Sequence, residues 1–68
     1  MSVMEINFAK NLNTLRKAKG LTQKQLADYV GVDQRTVSAW ENGVCEPSFD
    51  VLLKLCRLFN ETFDGLLT

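Results

Sequence analysis

Arg35 carries a planar guanidinium with five N–H donors, and its neighbour Gln34 carries an amide that both donates and accepts. Groups of this kind suit two-point hydrogen bonding to flat partners: Arg to guanine O6 and N7, Gln to adenine, each good pair discriminating by about 1–3 kcal/mol. Asp33, Thr36, Ser38 and Ala39 add a carboxylate, two hydroxyls and a methyl group along the same short stretch. Gln23 and Lys24 upstream, and Asn42 downstream, can each donate to a phosphate. An ordinary solvated helix face would carry the same side chains, so the elements that hold them must decide their meaning. Catalysis has much less to work with. The chain has no His, and Cys45 and Cys56 form neither a CxxC pair nor half of a metal set. A Cys without a His partner is a poor nucleophile, and no glycine-rich phosphate loop is visible. The expectation is no enzyme, no metal and no cofactor.

The elements follow from punctuation. With 68 residues, 46% of them hydrophobic, the chain has room for one domain and one thin core. It is too apolar to be disordered. No run approaches the roughly 18 apolar residues of a membrane span, no leader pattern opens it, and two Cys suit a reducing cytoplasm. Phe8, Leu12 and Leu15 recur at helical spacing before Gly20. Ser2-x-x-Glu5 as a capping box, or Asn7 as a cap, can start this first helix, which is expected to end near Lys19. Thr22-x-x-Gln25 is a better capping box for a second helix with Leu26, Ala27 and Val30 inward, stopped by Gly31. Asp33 caps a third helix, with Val37 and Trp40 inward and Gly43 at its end. Ser48, after Pro47, caps a fourth with Leu52, Leu55, Cys56 and Phe59 inward, and Cys56 reads as a buried small hydrophobe while Cys45 lies in a loop. Asn60 takes the left-handed turn. Thr62 caps a short last helix with Phe63, Leu66 and Leu67. No segment alternates like a strand, so the fold class is all-α: a compact five-helix bundle, one domain over residues 1–68.

The stretch from Gln23 to Asn42 is more specific than two helices. Two helices crossing through a very short turn need a small residue at the crossing, a positive φ four residues later and apolar residues around the turn. Ala27, Gly31, and Leu26, Val30, Val32, Val37 and Trp40 meet those demands. This is the helix-turn-helix pattern, whose second helix enters the DNA major groove.

Thr22-Gln23-Lys24-Gln25-Leu26-Ala27-Asp28-Tyr29-Val30-Gly31-Val32, followed by Val37-Ser38-Ala39-Trp40-Glu41-Asn42-Gly43, resembles the phage repressor and Cro type of helix-turn-helix family, the XRE-like regulators. The likeness extends upstream to Leu15-Arg16-x-x-Lys19-Gly20-Leu21 and downstream through Pro47-Ser48-x-x-x-Leu52 to Asp64-Gly65-Leu66-Leu67. It implies a lambda repressor-like five-helix DNA-binding domain that regulates transcription, most often as a repressor. It also implies base contacts from Gln34, Arg35, Thr36, Ser38 and Ala39, although relatives often carry a longer polar side chain where Ala39 stands. Phosphate contacts are implied at Gln23, at Asn42 through side chain or backbone, at Lys24 and at Thr36, which can touch a thymine methyl instead. Val44 is apolar where relatives are often basic. Arg16 and Glu41 are implied to form an ion pair joining the first helix to the third, and Trp40 is expected in the core rather than stacked on a base.

One recognition helix reads few base pairs, so relatives generally dimerise on palindromic sites, with recognition helices about 34 Å apart. Leu53, Leu58 and Leu67 lie off the main inner face, either as peripheral core or, with Phe63, as a two-fold patch. The expected partner is therefore double-stranded DNA, bound as a homodimer, in the cytoplasm and not at a membrane. An antitoxin-type interaction module that also represses its own operon is the alternative, with a second protein as its partner. The zero net charge weighs against nucleic acid at first sight. It hides a dipole. Through Arg35 there are six basic residues (Lys10, Arg16, Lys17, Lys19, Lys24, Arg35) and three acidic ones (Glu5, Asp28, Asp33), a net +3. The remainder has two basic (Lys54, Arg57) and five acidic (Glu41, Glu46, Asp50, Glu61, Asp64), a net −3. The positive half carries both cationic residues among the proposed contacts, Lys24 and Arg35, so modest non-specific affinity is expected.

Overall fold

The computed structural model describes residues 7–68. Five helices follow one another: α1 (Ala9–Ala18), α2 (Gln23–Val30), α3 (Gln34–Glu41), α4 (Phe49–Phe59) and α5 (Phe63–Leu67), with no strand among the described residues. The Ser2/Glu5 capping box lies outside the described residues. Asn7 does not cap α1. Residues 7–8 form a π-type turn leading into the helix, and Phe8 has helical dihedrals (φ −61°, ψ −47°) with no side-chain cap. A cap needs extended backbone so that its side chain can fold back onto the next turn. Phe8 instead turns its ring into the core, where it is fully buried.

The other helix starts form as their residues dictate. Thr22 Oγ1 accepts the Gln25 N–H at 3.0 Å while Gln25 Oε1 accepts the Thr22 N–H at 2.8 Å, a complete capping box. Asp33, Ser48 and Thr62 cap α3, α4 and α5 in the same extended conformation. The ends share a second device. The Leu21, Val44 and Glu61 amides reach back to the Arg16, Ala39 and Cys56 carbonyls, which closes α1, α3 and α4 through a left-handed residue. At α4 that residue is Asn60 (φ 52°) rather than Gly. At the α2–α3 turn it is Gly31 (φ 81°), where a three-residue connection lets the sign of φ fix the course of α3.

The core joins all five helices: Phe8 just before the first and Leu12 within it, Leu26, Ala27 and Val30 of the second, Val37 and Trp40 of the third, Leu52 and Leu55 of the fourth, and Leu66 of the last. Leu15, Cys56, Phe59, Phe63 and Leu67 pack at its rim and stay half-buried. Cys56 is therefore not the fully buried hydrophobe its spacing suggests. An 11-residue helix on a domain this thin has only a narrow dry stripe, and Leu52 and Leu55 fill it. Burial still pushes the Cys56 thiol above its ordinary range, helped by the Glu61 charge. Asn11 Nδ2 donates to the Leu66 carbonyl at 2.9 Å and ties α5 back onto α1. Packing α3 between α1 and α2 positions the site: one face is locked inward and the other is left to solvent.

Candidate nucleic-acid interface

The interface is built on α3 and the start of α2. Val37 and Trp40, one turn apart, are buried. Gln34 and Arg35 precede them and are exposed; Thr36, Ser38 and Ala39 are half-buried. Gln34 lies one turn from Ser38, and Arg35 one turn from Ala39, so these four share one side of the helix. Thr36 lies one turn from Trp40 and sits nearer the inner flank. The Arg35 side chain is 93% exposed, and its Nε donates to Asp33 Oδ1 at 3.2 Å. The same carboxylate caps the helix by accepting the Arg35 backbone N–H at 2.8 Å.

The residues singled out for phosphate lie at the ends of the two helices. Gln23 opens α2, where free amides and the helix dipole favour an anion. Lys24 forms an exposed pair with Asp28 one turn on, at 3.4 Å, a contact weak enough to open. Asn42 caps the end of α3, and its Nδ2 donates to Ser38 Oγ at 3.3 Å. Gln23 also does something its sequence position did not announce: its Nε2 donates to Glu41 Oε1 at 3.2 Å.

Glu41 is the hub behind this face. Arg16 Nε donates to its Oε2 at 2.6 Å and Arg16 Nη2 to its Oε1 at 3.1 Å, with only 11% and 4% of the two side chains exposed. Asn13 Nδ2 donates to Oε1 at 2.8 Å, and Arg16 Nη1 turns away to the Leu21 carbonyl at 2.7 Å. The clamp therefore joins α1, the loop after it, the start of α2 and the end of α3. Burial alone would push the Glu41 carboxyl up; donors from Arg16, Asn13 and Gln23 outweigh it and hold the carboxyl below its ordinary value. Hydrogen bonding to Glu41 raises the Arg16 guanidinium in turn, against the opposing effect of burial. Asn13 and Gln23 were not anticipated in this network. The available signal for Asn13 was its place one turn before Arg16 on the same helix face. For Gln23, which meets Glu41 only through the crossing of two helices, the sequence carried none.

A five-helix bundle with a three-residue turn between α2 and α3, a clamped third helix and a polar outer face defines a helix-turn-helix domain. The chain belongs to the helix-turn-helix family, whose profile matches residues 12–66. It is 36% identical over 63 residues to the HTH-type transcriptional activator BcrR of Enterococcus faecalis, covering 93% of this chain and 31% of that protein. It is 35% identical over 56 residues to the antitoxin PezA of Streptococcus pneumoniae, covering 82% of this chain and 35% of that protein. Against the crystal structure of the restriction-modification controller protein C.AhdI from Aeromonas hydrophila the TM-score is 0.80 at 34% identity, over 91% of this chain and 94% of that one. The chain thus corresponds to about a third of each of the two curated relatives and to nearly all of the controller structure. These likenesses support a DNA-binding transcription regulator, a class that generally works without catalysis. No described helix is long and apolar enough to cross a membrane.

Proposed function

We propose that this domain, residues 1–68, is a sequence-specific double-stranded DNA-binding transcription regulator that reads the major groove with α3. The observation that carries the reading is the two-sided third helix: Val37 and Trp40 buried and Glu41 clamped, with Gln34 and Arg35 projecting into solvent. Rigid backing lets base-edge hydrogen bonds discriminate. Gln34 and Arg35 make the base contacts, helped by Thr36, Ser38 and Ala39. Gln23, Lys24, Asn42 and Thr36 meet phosphates, Gln23 with the amide hydrogen that Glu41 does not take. The protein acts in the cytoplasm as a homodimer on a palindromic operator, and occupancy of that operator represses the promoter it overlaps.

Selection of bound sites from random duplexes, followed by titration at two salt concentrations, tests the reading. An enriched inverted repeat whose affinity falls as salt rises is the expected result. No enrichment, with only weak binding at low salt, overturns it. A promoter reporter decides the sign, since BcrR is named an activator. The likeness to PezA favours a second reading, an antitoxin-type module that holds another protein and represses its own operon. Replacing Gln34 and Arg35 together by Ala separates the two: DNA binding is lost on either reading, but protein capture survives only on the second.

A further inference from the structure

The exposed guanidinium of Arg35 has a partner on its own helix start. One oxygen of Asp33, Oδ1, accepts both the Arg35 backbone N–H and its side-chain Nε–H. The cap residue thus holds the main chain and the side chain of the same neighbour. This contact is no stability device, because the two side chains are 93% and 58% exposed and such pairs add little to folding. Its consequence is conformational. A long side chain that docks on a base must give up rotamer freedom at that moment. Here Nε is engaged before any base arrives, and the two Nη nitrogens at the end of the fork remain to be presented.

We infer that Asp33 is the positioning residue for guanine readout: it directs Arg35 so that the Nη pair meets O6 and N7 of one guanine, and so sets the preference at that base pair. The inference rests on α3 being the reading helix. The electrostatics agree with the geometry. The Arg35 backbone and side-chain donors hold the Asp33 carboxyl below its ordinary value, and Asp33 raises the Arg35 guanidinium, so both partners stay charged. A carboxylate beside phosphates also repels DNA of every sequence. Asp33 therefore exchanges general affinity for selectivity, and its removal moves the two quantities in opposite directions, which loss of a helix cap alone would not do.

The test uses Asp33→Ser, which keeps a capping oxygen but is one atom shorter and uncharged. Dissociation constants are measured for the selected duplex, for duplexes with the guanine pair replaced, and for a random duplex, alongside the thermal midpoint. With the midpoint held, the guanine preference should fall about three- to tenfold while random duplex binds more tightly. In an Arg35→Ala background, where that preference is already lost, the same change should lower it no further. Asp33→Asn, which keeps length and cap but loses the charge, should tighten random-duplex binding as much and lower the guanine preference by less, and serves if the Ser variant folds poorly. If Asp33→Ser keeps the preference that Arg35→Ala destroys, Asp33 is only a cap and the inference fails while the reading of α3 stands. If Arg35→Ala also keeps it, Arg35 is no guanine reader and the inference falls with it. If the unmodified protein selects no sequence, the reading of α3 itself fails.

Discussion

Glu41 and Arg35 sit on opposite faces of one short helix and answer to different physics. Glu41 is dry and has four donors, so removal of its partner strands a buried charge. Arg16→Ala is expected to cost about 3 kcal/mol in urea unfolding. Because the native carboxyl of Glu41 lies below its unfolded value, this group contributes stability above the unfolded pKa. That contribution is lost as pH falls through the lower native one. Unfolding midpoints measured from neutral pH down to about pH 3 should fall, and Glu41→Gln should flatten that slope. Arg35 is nearly all in water, so Arg35→Ala should leave the midpoint alone. It should cost about 1–3 kcal/mol on the selected site and much less on random duplex, read by fluorescence anisotropy.

Between residues and fold, the helices are set by their ends. Thr22→Ala removes one half of the box that starts α2 and should cost about 1 kcal/mol. At Gly31 a Cβ would meet open space, so the penalty of Gly31→Ala is purely conformational, about 1–2 kcal/mol for a left-handed residue, with a further loss of DNA affinity if α3 is tilted. Gly65 behaves oppositely. Its backbone is not left-handed, and the atoms nearest an added Cβ belong to the flexible Glu61 side chain, which must swing aside. Gly65→Ala should therefore be neutral or stabilise by up to about 1 kcal/mol, because Gly is a poor helix former. In thermal melts run side by side, Gly31→Ala should lower the midpoint and Gly65→Ala should hold or raise it.

At the scale of the whole molecule, charge and apolar surface set the partners. Of the residues proposed to meet phosphates only Lys24 is cationic, so each domain should release few counterions. A plot of log affinity against log salt should have a slope of about −1 to −3 per domain. Selectivity then depends on base contacts and on a second copy. Phe49 is 65% exposed and stacks on Phe63 with ring centroids 5.5 Å apart, which extends the patch proposed around Leu53, Leu58, Phe63 and Leu67. Phe49→Ser should leave the isolated fold intact and weaken dimerisation about tenfold or more, as expected for removing one large apolar side chain from an interface. Sedimentation on operator DNA reads the outcome, and a monomer on the operator with the unmodified protein would sink the dimer proposal.

Much of the fold was legible because its cues are local. Caps at Thr22, Asp33, Ser48 and Thr62, stops at Gly31 and Asn60, and the apolar spacing of Leu26, Ala27, Val30, Val37 and Trp40 each act within a turn or two of chain. Asn7, one of the two starts that the sequence offers for α1, does not cap it, because core burial of Phe8 outweighs capping preference there. Cys56 packs less deeply than its spacing suggests, because periodicity gives a direction and not a depth. The Arg16–Glu41 pair is implied by family likeness rather than by spacing, and in the structure the two side chains meet at 2.6 Å. Sequence by itself determined the five helices, the inward face of each and the stretch that could read DNA, because propensity, capping and spacing are properties of neighbours along the chain. Only the tertiary structure decided that Asn13 and Gln23 join Arg16 on Glu41, that Phe49 covers Phe63, and which oxygen of Asp33 holds Arg35. Crossing helices bring together atoms whose separation in sequence says nothing of their separation in space, and a hydrogen bond depends on tenths of an ångström that no residue pattern encodes.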